Sequence, residues 1–529
     1  MLSSEDDRGQ GKVVGASAGG RRGDLEASAR RKASPGEPSS LVESFEVARG
    51  GVSGDMLTEK FKAAPLKIGF LATAYFEYWR MYSGVRSQVV ADMQRIADRL
   101  ADKHPIVYTG LADTLDATDA AGWRFREEQV DLIVVVEGTW TPDYFIHRAL
   151  AHVPSDTPIL LFAGWTRDRL DFTAGFDQTI RNWGPMGLAQ LAGGFHKMHH
   201  FTNYEVAVGT FDDEKAYEAI DRFIQVRAAI SHMRHRTIGV VGHVFRGMFD
   251  FNYDKTSVTG LFGPEIVDIH IDHLTQILSE IQDSDGRVVA LQKKVRQNYK
   301  VVGIEEADLR RASRLAVALL ELVERYRLDG LAVLAQHYIE MQAKSTVHLG
   351  MSEILASDLA LAVTEGDVLG LVLSMVLKEF TGHTPFLGEW DEVDVDRNAL
   401  MLLGHGYLDP REAHPQQPIV VGRAAEEWGF EGKGFGFQAN YRPGPVTLAH
   451  VIADPEGWRM LLMRGEILDL PPLPIDECSL VVGIKTPVMD FWRSLLKGGF
   501  PHHAIVAPGD CLEQMECYAR QLGIRVCSF

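Results

Sequence analysis

Hydrophobic positions along this chain fall into two textures. In the first, continuous apolar runs are each followed by a polar or glycine-containing turn: Lys67-Ile68-Gly69-Phe70-Leu71-Ala72-Thr73, Val130-Asp131-Leu132-Ile133-Val134-Val135-Val136 and Pro158-Ile159-Leu160-Leu161-Phe162. Between the first two, Val85, Val89, Met93, Ile96 and Leu100 recur at helical spacing. Buried strands alternating with amphipathic helices predict a parallel sheet covered on both faces. Ligands of such sheets collect at the carboxyl ends of the strands, so the loops 73–82, 137–143 and 163–167, each carrying aromatic residues, are candidate substrate walls.

A second block begins with Thr237-Ile238-Gly239-Val240-Val241-Gly242-His243 and continues through Arg287-Val288-Val289-Ala290. A helix is predicted over 306–327, with Leu309, Ala312, Ala316, Leu319, Leu320 and Val323 on its apolar face. A further strand over 328–334 leads into Gln336 and His337. From Met401 the texture changes to shorter runs with many Gly and Pro, as in 432–436 and 442–445, which predicts an antiparallel, barrel-like end. The expected class is α/β, with parts at 66–235, 236–385 and 386–529. Residues 1–65 are rich in Gly, Ser, Ala and charge and read as a disordered extension. Acidic residues among Arg21, Arg22, Arg30, Arg31 and Lys32 argue against a transit peptide.

Composition narrows the function. The chain has 529 residues, 46% of them hydrophobic, enough for about three domains of about 150 residues. A net charge of -18 argues against nucleic acid or an anionic membrane as partner. Four cysteines without a CxxC pair suit free thiols in a reducing cytosol, so a cytoplasmic location is expected. No apolar run reaches the roughly 18 residues of a membrane span.

The candidate chemistry lies in Thr364-Glu365-Gly366-Asp367-Val368, Pro385-Phe386-Leu387-Gly388-Glu389-Trp390-Asp391 and Leu403-Gly404-His405. Each has a plain explanation taken singly: a carboxylate at a helix start, a solvated acidic run, a core histidine. Gly498-Gly499-Phe500-Pro501-His502-His503 adds two imidazoles at the start of an apolar strand, where one can face a cavity and the other point away. Two carboxylates with two imidazoles leave room for oxygen ligands in an octahedral shell, and manganese or another divalent ion fits that mixture better than structural zinc.

In this order, the Glu-Gly-Asp, Phe-Leu-Gly-Glu-Trp-Asp, Leu-Gly-His and Gly-Gly-Phe-Pro-His-His blocks resemble the L-arabinose isomerase and L-fucose isomerase superfamily, the arabinose branch more closely. Glu306-Ala307-Asp308-Leu309-Arg310-Arg311-Ala312 and Gly444-Pro445-Val446-Thr447-Leu448 add to the similarity. The resemblance implies two Rossmann-like α/β domains followed by a β-rich domain. It further implies a manganese ion on Glu365, Glu389 (with Asp391 the fallback in the same acidic run), His405 and His503, and Glu365 and Glu389 as the acid/base pair of an aldose-ketose isomerisation through an enediol, with no nucleotide cofactor. A homo-oligomer is implied too, each active site completed by a neighbouring subunit's N-terminal domain. A non-catalytic sugar-binding or sensing relative is the alternative, though a binding module has no need of both carboxylates.

The chain departs from the arabinose branch where that branch faces substrate. Thr73-Ala74-Tyr75-Phe76-Glu77-Tyr78-Trp79 replaces a Gln-His pair, and Met186 stands in place of a histidine. The sugar is left open. Elsewhere, His196, His199 and His200 have helical metal spacing but read as a surface cluster, and Asp254 with Lys255 as a surface turn. His243 and His337 follow predicted strands and either line the pocket or satisfy backbone groups.

Overall fold

The computed structural model describes residues 65–334, 338–424 and 434–529. The expected N-terminal extension up to residue 64, together with Gln336 and His337, lies outside these residues.

The apolar runs become two parallel sheets. The first has the order β2 (Ile106–Val107), β1 (Ile68–Thr73), β3 (Leu132–Glu137), β4 (Ile159–Trp165), β5 (Tyr204–Thr210). All six residues of β1 and all six of β3 are buried, as helices on both faces require. The helix Val85–Ala101 buries the five residues read as its apolar face. The second sheet runs β10 (Leu361–Val363), β9 (Gly330–Val333), β6 (Thr237–Val241), β7 (Glu265–Ile269), again parallel. In both sheets the strand order reverses beside the first strand, at β1/β3 and at β6/β9, where the crevice outside the carboxyl ends receives ligands.

The third part is a closed barrel. Its six strands are β11 (Phe386–Asp394), β12 (Ala399–Gly404), β17 (Cys478–Ile484), β16 (Gly457–Ile467), β15 (Gly444–Asp454) and β18 (His503–Pro508). All six pairings are antiparallel, and β15 pairs with both β16 and β18 to close the ring. Leu400, Leu402, Leu448, Leu480, Val482 and Val506 share one core there. β19 (Arg525–Ser528) adds to β16 in parallel, and β8 (Lys300–Val301), β13 (Val420–Arg423) and β14 (Phe435–Gln438) form a small separate sheet. The α/β class with two parallel sheets and a barrel is as the sequence predicts.

Arg287–Ala290, expected to continue the second strand pattern, lies instead in the helix Gly286–Asn298. Asp285 caps it by accepting the Arg287 N–H at 2.9 Å, and Val288, Leu291 and Val295 form its buried face while Val289 is exposed. A short apolar run does not distinguish strand from helix, and here the cap and the i, i+3, i+7 spacing decide. Cys478, Cys511 and Cys517 are buried free thiols. No helix of the described residues is long and apolar enough to cross a membrane.

Candidate active site

The carboxyl ends of the second sheet meet the barrel, and there the charged residues gather. β10 ends at Val363, and the chain turns sharply through Glu365 (φ +62°) and Gly366 (φ +75°), both left-handed. The Glu365 carbonyl accepts the Phe245 N–H from the loop after β6, which fixes the turn. Asp367 then caps the helix Val368–Thr381, accepting the Gly370 N–H at 2.8 Å. Glu365 is thereby delivered, fully buried, at the sheet's edge.

The barrel supplies the facing groups through strand register. Glu389 on β11 pairs directly with His503 on β18 on one side and with Leu403 on β12 on the other. His405 follows β12 by one residue. His503 Nε2 lies 2.9 Å from Glu365 Oε2 and 3.9 Å from Glu389 Oε1. His405 Nε2 lies 3.4 Å from an oxygen of each carboxylate. The four residues picked out in the sequence thus stand together, with Glu365 and Glu389 the common neighbours of both imidazoles.

His503 is held from behind. Its Nδ1 lies 3.0 Å from Asp367 Oδ2. With the Nδ1 proton donated there, loss of the other ring proton leaves an Nε2 lone pair aimed at the two carboxylates, the tautomer a metal ligand requires. Phe251, fully buried, stacks on the His503 ring at 4.7 Å between centroids and 17° between planes. Burial works against charge on His503, but Asp367 and Glu365 outweigh it and raise its pKa to about 9. Burial likewise opposes ionisation of Glu365, yet His405 and His503 hold its carboxyl well below the usual range.

A divalent cation fits this donor set. Glu365, Glu389, His502 and His503 each offer one ligand atom, all within 4.8 Å of one another. His503 Nε2, buried and 2.9 Å from a carboxylate oxygen, makes no hydrogen bond of ordinary geometry, an arrangement a shared cation satisfies. Carboxylate oxygens mixed with imidazole nitrogens are donors that a divalent cation accepts. His502, the histidine expected to point away, is also at the rim: its Nε2 lies 3.8 Å from Glu389 Oε1 and its Nδ1 2.5 Å from Asp250 Oδ2. Half-burial pushes the Asp250 carboxyl up, but the His502 ring and backbone N–H hold it down at about 2. Neither Asp250 nor His450, which also reaches Asp367, carries any local sequence signal.

The remaining candidates stand apart. His199 ends the helix Gly184–Met198 at φ +52°, so His196, His199 and His200 do not share a helix face. Asp254 caps the helix Lys255–Phe262, and Lys255 pairs with Asp268 at the surface. His243 is exposed and bonded to the Val244 carbonyl. At the carboxyl end of the first sheet, Tyr75, Tyr78, Trp140, Phe176 and Trp183 make a chain of edge-to-face rings, with Met186 exposed nearby on the first turn of its helix.

No family model matches the chain. Sulfoquinovose isomerase of Alkalicoccus urumqiensis is 24% identical over 343 residues, covering 61% of this chain and 72% of that protein. Sulfoquinovose isomerase of Priestia megaterium is 23% identical over 355 residues, 64% and 76% of the two chains. L-arabinose isomerase of Pectobacterium carotovorum is 22% identical over 339 residues, 61% and 66%. With the ordered motifs, these similarities make the chain a distant relative of the sugar isomerases of the L-arabinose and L-fucose isomerase superfamily.

Proposed function

We propose that this protein is itself an aldose-ketose isomerase that uses a divalent cation, manganese by preference, held by Glu365, Glu389, His405 and His503. The observation that carries the proposal is the convergence of two carboxylates and two imidazoles, from the end of the second parallel sheet and from two strands of the barrel and the residue after a third, on one point beside a switch-point crevice. Interconversion moves a proton between adjacent carbons through an enediol, so one group must remove it and another return it. Glu365, kept ionised by its two histidines, is buried; Glu389 has a partly open side chain and meets the substrate side. Together they make the acid/base pair. A bound divalent ion supplies Lewis-acid stabilisation of the charge that develops on the sugar oxygens.

Sulfoquinovose, L-arabinose and L-fucose are the first sugars to test. The aromatic loop Tyr75–Trp79 and Met186, at the positions where the arabinose branch differs, argue for a sugar other than L-arabinose. Phe172 (95% exposed), Leu170, Phe176, Met81 and Met186 are exposed apolar residues on the segments that follow β1 and β4 at the carboxyl ends of the first sheet, which supports a homo-oligomer in which this edge closes a neighbouring subunit's site. Metal content of the purified protein and a ketose-formation assay over the three sugars test the proposal. Glu365→Gln and Glu389→Gln are each expected to lower turnover by at least about 100-fold, the contribution of a positioned acid or base. Isomerisation surviving both substitutions would refute the roles; metal binding unchanged by them would refute the ligand set.

A further inference from the structure

One oxygen of Asp367 receives two imidazoles. His503 Nδ1 is 3.0 Å and His450 Nε2 3.1 Å from Asp367 Oδ2, while Oδ1 accepts the Gly370 N–H. Asp367, His450 and His503 have no solvent exposure. His450 stands on β15 one residue past Ala449, the last residue of that strand paired with β18. Where the ladder ends, the imidazole reaches the start of the helix Val368–Thr381. His450 Nδ1 lies 2.9 Å from the Val451 N–H and 3.1 Å from the Val451 carbonyl oxygen. The ionised Asp367 carboxylate can only accept, so the ring proton facing it sits on Nε2 and His450 donates to Asp367.

A buried imidazole among Ala449, Val451 and Leu461 costs desolvation that an aliphatic side chain avoids, so its hydrogen bonds must return something. We infer that His450 is a positioning residue for the cation site: by donating to the oxygen it shares with His503, it fixes the Asp367 carboxylate that aims His503 Nε2 at Glu365 and Glu389. Two donors on Oδ2 and the helix amide on Oδ1 leave the carboxylate one orientation. With His450 gone, Oδ2 keeps a single donor and the carboxylate can turn about its own axis, taking the His503 ring with it. The inference rests on the metal-site reading above, and it adds a residue from a strand that contributes no ligand.

The test is manganese titration of the full chain, followed by calorimetry or by the resonance signal of free Mn2+, for wild type, His450→Leu and His450→Gln, with thermal melting in chelator alongside. His450→Leu is expected to weaken binding by about 10–100-fold, as loss of an outer partner of a metal-bound histidine does. His450→Gln, whose side-chain amide can donate in place of Nε2–H, is expected to keep most of the wild-type affinity. If His450→Leu does not fold, His450→Asn, an amide too short to reach Asp367, takes its place with the same expected loss. Undiminished binding in the Leu or Asn variant, or equal losses in it and His450→Gln, overturns the inference alone. A wild-type protein that binds no divalent ion overturns the metal reading and this inference with it.

Discussion

Gly366→Ala adds one methyl group, and the structure says where it goes. A Cβ at Gly366 would lie 2.8 Å from the His243 carbonyl oxygen and 3.0 Å from Val244 Cα, both backbone atoms that cannot rotate away. Gly366 also has φ +75°, where an L side chain costs about 1–2 kcal/mol. Displacing the loop after β6 adds about 1–3 kcal/mol, the usual cost of overpacking. The sum is about 2–5 kcal/mol. At about 2–4 °C per kcal/mol for large domains, melting falls by about 4–20 °C. The loop that must move carries Asp250 and Phe251, which hold His502 and His503, and the residue before Gly366 is Glu365. Metal affinity should therefore fall with stability. Gly193→Ala is the control: an exposed helical glycine with nothing within 4 Å of its Cβ position, where alanine gains up to about 1 kcal/mol. Differential scanning calorimetry and manganese titration of both variants check this. A Gly366→Ala protein that melts and binds like wild type would refute the tight fit between this turn and the loop.

Metal affinity should depend on pH with a definite sign. With its pKa raised from an ordinary 6.5 to about 9, the ion-free His503 carries a proton at neutral pH that a cation must displace. Apparent manganese affinity is expected to rise about tenfold per pH unit from 7 toward 9, and a flat titration curve over that range would contradict the arrangement. In chelator the same shift stabilises the fold fully below pH 6.5, and that stabilisation is lost as pH rises through about 9; melting curves across that window read it. Lys378, 1% exposed, bonds Asp358 at 3.0 Å and Thr384 at 2.9 Å, so Lys378→Met should cost about 3–5 kcal/mol in denaturant unfolding. Arg95→Ala, which removes a half-exposed partner of Asp212 and of Asp92, the latter keeping Arg181 at 2.5 Å, should cost under about 1 kcal/mol by the same measurement.

Strands were legible in the sequence where both faces are covered. β1 and β3 are uninterrupted apolar runs because every residue is buried. β5, an edge strand in which only Ala207 is fully buried, has no such run, and β2 is two residues long; neither is visible in the pattern. The Arg287–Ala290 run shows the opposite failure, since a one-turn apolar stretch fits either period. For the site, motif order picked out Glu365, Glu389, His405 and His503. Their meeting depends on the Glu389–His503 register, which no local signal reports. The groups behind them were less accessible still. Asp367 was visible only as a neighbour of Glu365, and His450 and Asp250 sit in ordinary strand and loop sequence, marked out only by where the fold puts them.

The left-handed turn at Glu365 and the β11–β18 ladder belong to different parts of the fold: one follows the edge strand of the parallel sheet, the other lies in the barrel. A cation binding both has nothing to hold until each is complete and the two have docked. Such an ion stabilises only the finished assembly, by about 2.7 kcal/mol at a hundredfold excess over its dissociation constant. Partly folded chains, with one half of the ligand set out of reach, gain almost none of that. The cation of the proposed site would then clasp sheet to barrel as well as serve the reaction.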